Sequence, residues 1–140
     1  MRASAIALLA LLAALGAAPA PAQEARASQA ACDSNKLGGR ELAECLRTAV
    51  ERSERELADV VAAALKSIDS RKGLLTSQKA RWRRSLNEAE AQWVNWRDVE
   101  CQDVAPFEAG MSARGGADPR LSCIIDADAA RIASLKARYP

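Results

Sequence analysis

Any chemistry this chain performs has to be built from four cysteines, Cys32, Cys45, Cys101 and Cys123, and a plentiful set of carboxylates, because the sequence contains no histidine. That absence removes the commonest general base and the Ser–His and Cys–His nucleophile arrangements. Two carboxylate pairs remain, Glu88 with Glu90 and Asp98 with Glu100. Residues two apart on a helix point in different directions, whereas a glycosidase needs both carboxyls facing one cleft. The chain therefore reads as non-enzymatic. A zinc site would want C-x2-C spacing or histidines, and neither is present, so no metal and no cofactor are expected. An even number of cysteines in an exported chain implies two disulfides.

The densest block is Trp93-Val94-Asn95-Trp96-Arg97-Asp98-Val99-Glu100-Cys101. Trp82, Trp93 and Trp96 follow helical spacing in a chain with a single Phe and a single Tyr. Their plainer reading is core packing, and the sharper one is a stacking platform for carbohydrate. Arg97, Asp98, Asp128 and Arg131 read as a hydrogen-bonded ion network that ties two helices together near the cysteines. The alternative exposes Arg97 or Asp98 as a contact residue.

The elements that must position these groups are helical. Arg2 followed by an uncharged run to Ala18 and by Ala20-Pro21-Ala22 reads as a secretory signal peptide over residues 1–22, cut before Gln23. The run is too short for a transmembrane span. Residues 23–140 then form one small domain, periplasmic or secreted and soluble. Residues 23–36 show no period and are left as an extended or short helical lead. From Arg40, Leu42, Leu46, Ala49, Leu57, Val60, Ala64 and Ile68 recur at helical steps and predict one long amphipathic helix, ended by Arg71-Lys72-Gly73. A second long helix starts after Thr76 or Ser77 as cap, with Trp82, Leu86, Ala89, Trp93 and Trp96 on one face. Pro106, Gly110, Gly115, Gly116 and Pro119 mark residues 102–119 as a long loop. A third long helix runs from about Pro119 through Leu121, Ile124, Ile125, Ala127, Ile132 and Leu135 to Tyr139. The fold class is all-α: a disulfide-braced antiparallel bundle of three main helices with a short N-terminal segment. Counting along the hairpin places all four cysteines at one pole. Three pairings are open, and this geometry favours Cys45 with Cys101 and Cys32 with Cys123.

Glu41-Leu42-Ala43-Glu44-Cys45, then Ala89, then Trp93-x-x-Trp96-Arg97-Asp98-x-Glu100-Cys101, then Cys123 with Arg131 and Leu135 beyond it, resemble the LprI-like family of small exported proteins. The similarity spans roughly residues 32–139, and Gly110-Met111-Ser112 looks like a remnant of the family's glycine-rich loop. Three positions depart from the pattern. Leu57 is followed by Ala58, with Val61 where an aromatic stands in the family; Asp128 replaces a threonine; and Ala89-Glu90 replaces Ala-Gln. Some relatives are inhibitors of lysozyme, so the resemblance implies lysozyme as a protein partner.

Charge is distributed unevenly. Lys66, Arg71, Lys72, Lys79, Arg81, Arg83 and Arg84 stand against Asp69 alone in residues 61–84, while residues 85–118 are dominated by acids. The bundle is thus expected to have a basic hairpin tip and an acidic cysteine pole. Animal-type lysozymes are strongly basic, so the acidic pole would be steered toward them. Asp103, Glu108 and Asp118 are the candidate contacts for a basic rim, and Arg114 for the catalytic carboxylates. In the competing reading the tip, through Arg81, Arg83 and Arg84, engages an anionic envelope surface, lipid or glycan. A third reading is a structural module of an envelope assembly. Nucleic acid is not an expected partner.

Overall fold

The structure, a computed structural model, describes residues 26–110 and 117–140, all of whose regular elements are helical. The signal-peptide reading of residues 1–22 lies outside the described residues. Among those described, no helix is long and apolar enough to cross a membrane.

The lead contains a short helix, α1 (Ala27–Ala31). Next comes α2 (Gly39–Ser70), which buries Leu42, Leu46, Ala49, Leu57, Val60, Ala64 and Ile68. These are the seven residues its periodicity predicts. The stripe skips one core position between Ala49 and Leu57, and Ser53 occupies it. Arg71 and Lys72 follow the end of α2 rather than forming its last turn, and Gly73 makes the turn with φ +79°, a conformation in which a glycine avoids a Cβ clash.

In α3 (Thr76–Val99), Thr76 is the first helical residue and not the cap. The cap position is Leu75, whose free N–H donates to the side-chain oxygen of Gln78 at 2.9 Å. The residues α3 buries are Leu86, Glu90 and Arg97. Trp96, expected in the core, is 55% exposed, and Ala89 is exposed as well. The inward stripe runs Leu86, Glu90, Trp93, Arg97 at steps of four, three and four, and Trp96 lies one residue, about 100° of helix, off that line.

The expected loop after Gln102 is helical for a further two turns. A single π-helical turn (Glu100–Val104), closed by Ala105 N–H donating to the Glu100 carbonyl, leads into α4 (Ala105–Glu108). Pro106 does not break the chain there, because a proline in the first turn of a helix gives up an N–H that has no helical partner. The break comes at Gly110, which takes φ +69°. Residues 111–116, including Arg114 and the glycine pair, lie outside the described residues. Asp118 then caps α5 (Pro119–Arg138), accepting from the Arg120 N–H at 2.9 Å.

Side-chain pairs give the directions. Cys101 meets Cys123, Arg97 meets Asp128, Glu90 meets Arg131 and Trp82 meets Tyr139, so α3 and α5 are antiparallel. Ser53 reaches Asp128 and Glu56 reaches Lys136, so α2 and α5 run parallel. The core has two apolar parts. One joins Leu42, Leu46, Ala49, Cys32 and Ile125 at the disulfide end. The other joins Leu57, Val60, Ala64, Ile68, Leu86, Ile132 and Leu135 toward the tip.

The disulfides pair Cys32 with Cys45 and Cys101 with Cys123, which overturns the expected cross-linking of Cys45 to Cys101 and Cys32 to Cys123. The cysteines do gather toward one end, but Asp128 of α5 stands between Ser53 of α2 and Arg97 of α3. Near this end α5 packs between α2 and α3, whose direct link there is the ion pair of Arg97 with Glu54. Each cysteine pairs with the one next to it in the sequence: α1 folds back on α2 with Cα atoms of Cys32 and Cys45 5.9 Å apart, and Cys101 and Cys123 approach to 5.4 Å. Both spacings suit an unstrained bridge.

Candidate functional site

The charged residues expected to work together form two separate pairs joined by an aromatic ring. Arg97 is 5% exposed and Asp128 fully buried. The Arg97 guanidinium donates to Asp128 Oδ1 at 2.8 Å, to Asp98 Oδ1 at 2.8 Å and to Glu54 Oε1 at 3.3 Å. Ser53 Oγ donates to the other Asp128 oxygen at 2.7 Å. Burial works against the Arg97 charge, but hydrogen bonds to Asp128 and Asp98 outweigh it and hold its proton more tightly than in a free arginine. Arg131 does not join this group. Its guanidinium grips both carboxylate oxygens of the buried Glu90, one of them at 3.0 Å from Nε.

Trp93 packs beside both cations, with ring-centroid distances of 5.8 Å to Arg97 and 5.6 Å to Arg131. Such contacts stabilise a partly desolvated guanidinium. Every polar group in this buried set has a partner, and among the described residues no buried side-chain nitrogen or oxygen is left without one. Of the expected members, Arg97, Asp98, Asp128, Arg131 and Trp93 are brought together. Ser53, Glu54 and Glu90 complete the set. This is a brace between helices.

The exposed chemistry lies just beyond the brace. Trp96 (55%), Val99 (57%), Val104 and Phe107 (71%) are exposed along the end of α3, the π turn and α4. Asp103 and Glu108 are exposed among them and Glu100 is half-buried. A groove of about 460 Å³ runs along the Cys101–Cys123 bridge, lined by Trp96, Glu100 and Glu108 on one side and by Pro119, Ser122 and Asp126 of α5 on the other. Arg26 also lines it. Large apolar side chains in an acidic surround have the composition of a protein-binding anchor patch. Periodicity placed Trp96 inward and gave no signal for Phe107.

Other candidates fall differently. Asp118 is committed to capping α5, and Arg114 lies outside the described residues. Arg81 and Arg84 are exposed at the far end, whereas Arg83 is held by Asp69 at 2.9 Å. A larger groove of about 600 Å³ lies between α1 and the start of α2, lined by Arg40, Glu41, Glu44, Thr48 and Arg52 among others. Its charges are of both signs and it holds no aromatic ring.

The family model for lysozyme inhibitor LprI matches residues 31–135, from the end of α1 into the last turn of α5. The chain belongs to the LprI family. No curated protein and no solved structure matches it. The LprI match takes in all four cysteines, the Arg97–Asp128 and Arg131–Glu90 pairs and the exposed Trp96–Phe107 stretch, and the family is one of lysozyme inhibitors by description.

Proposed function

We propose that this LprI-family chain is an exported, non-enzymatic inhibitor of a lysozyme, and that it meets the enzyme with its disulfide pole. The observation that carries the surface assignment is the exposure of Trp96 and Phe107 beside Glu100, Asp103 and Glu108. Aromatic anchors inside a charged rim supply affinity, while the rim sets the encounter rate and the choice of a basic partner. The Cys101–Cys123 bridge and the buried Arg97–Asp128 pair hold the patch in place before binding, which limits the ordering cost. Residues 102–119 belong to the same contact surface in this reading.

Titration of the oxidised protein into a lysozyme cell-wall lysis assay tests the proposal. Inhibition is expected to weaken on the order of 30-fold for Trp96→Ala and again for Phe107→Ala. Wild-type protein without effect at high molar excess would refute inhibition. Unchanged inhibition by the paired variant would refute the surface.

A further inference from the structure

The opposite end of the molecule carries a surface of different chemistry. Between the end of α2 and the start of α3, Leu74 and Leu75 stand in the turn, with Leu75 67% exposed. Neither belongs to the apolar clusters of the core. Cations surround them. Asp69, the carboxylate of this stretch, is engaged by Arg83 at 2.9 Å, and its backbone carbonyl accepts from Lys79 at 2.7 Å. Arg71 lies over the Trp82 ring at 5.8 Å. Lys72, Arg81 and Arg84 are exposed and form no ion pair among the described residues.

An exposed leucine pair at the apex of a hairpin, with cations that form no ion pair among the described residues behind it, matches the chemistry of a bilayer surface. Leucine enters the boundary between headgroups and acyl chains, while Lys and Arg stay with the phosphates. A soluble polyanion would use the cations alone and leave the leucines in water. We propose that the α2–α3 hairpin tip docks reversibly on anionic lipid bilayers, with Leu74 and Leu75 entering the headgroup boundary and Lys72, Arg81 and Arg84 pairing with lipid phosphates. The orientation follows from the charge layout. Trp96 stands about 30 Å along α3 from Leu75, and the acidic pole around it is repelled by the same surface. A docked molecule presents its opposite end outward. This docking is independent of lysozyme inhibition.

Sedimentation with vesicles tests it, using the oxidised chain, about 0.1 M salt, and either equal parts phosphatidylglycerol and phosphatidylcholine or phosphatidylcholine alone. Binding is expected to the anionic vesicles only. Replacing Lys72, Arg81 and Arg84 together with glutamine should weaken it on the order of 100-fold. Leu74→Ser with Leu75→Ser should weaken it on the order of 10-fold, with lysozyme inhibition and circular dichroism unchanged in both variants. No binding to anionic vesicles overturns the proposal. So does undiminished binding by the serine variant, which would make the contact purely electrostatic, and so does capture of inorganic polyphosphate without vesicle binding.

Discussion

Replacing Asp128 with alanine is expected to lower the unfolding free energy by about 3–5 kcal/mol, read from urea denaturation of the oxidised protein. The substitution removes the main neutralising partner of Arg97, a guanidinium only 5% exposed, and leaves Ser53 without its acceptor on α5. Asp98 and Glu54 remain, but their side chains are about half exposed and water competes for them. An arginine does not shed its proton to escape burial. The cation must therefore stay buried with weaker compensation or pull the helix outward. Arg97→Ala should cost a similar amount by stranding the Asp128 carboxylate. The pair Arg97→Met with Asp128→Leu should recover most of the loss, because well-packed apolar side chains replace a buried ion pair at little net cost. A loss below about 1 kcal/mol for Asp128→Ala would mean that water reaches the pair and that it behaves as a surface contact.

Reducing both disulfides is expected to remove about 6 kcal/mol. The bridges close loops with sequence separations of 13 and 22 residues, and loop closure of that size restricts the unfolded chain by about 3 kcal/mol each. A small domain commonly has only 5–15 kcal/mol in total, so reduced protein should be largely unfolded at moderate temperature. Thermal melts followed by circular dichroism with and without a dithiol reductant measure this. An unchanged midpoint would show that the core suffices alone. Removing only the second bridge, by Cys101→Ser with Cys123→Ser, should leave a folded bundle with a loosened π turn and α4. Non-reducing peptide mapping checks the pairing directly: a fragment joining residue 32 to residue 45 agrees with the structure, and one joining 45 to 101 does not.

The sequence read well wherever apolar residues mark the core and poorly wherever charged ones do. All seven buried positions of α2 carry aliphatic side chains at helical steps, so their pattern was visible in one dimension. On α3 the inward positions hold Glu90 and Arg97. Each is acceptable inside only because Arg131 or Asp128 faces it from α5, a fact that no single helix contains. Ranking by hydrophobicity turned the helix toward Trp96 instead. Two signals were nevertheless present. Ser53 interrupts the α2 stripe at a core step, and Asp128 sits between Ile125 and Ile132 on the apolar side of α5. Glu90 and Asp128 each supply the carboxylate for an arginine of the facing helix.

The disulfide pairing was missed for a different reason. Distance along a hairpin places cysteines at one end, but the partner depends on which helix lies beside which, and hydrophobic periodicity does not rank neighbours. The exposed Phe107 gives no signal in the sequence because the breaker residues around it read as a loop, whereas Pro106 stands in the first turn of a short helix.

The polar layer of Ser53, Arg97 and Asp128 has a consequence for motion. It separates the apolar cluster at the disulfide end from the one toward the tip. Both disulfides lie on one side of it, whereas the tip side is held by packing and by the Glu90–Arg131, Glu56–Lys136 and Asp69–Arg83 pairs and carries no covalent link. Local opening therefore has a natural boundary at this layer. The hairpin half is free to breathe as a unit while the half bearing Trp96 and Phe107 stays closed, so amide protons should exchange fastest near Leu75 and slowest around Cys101.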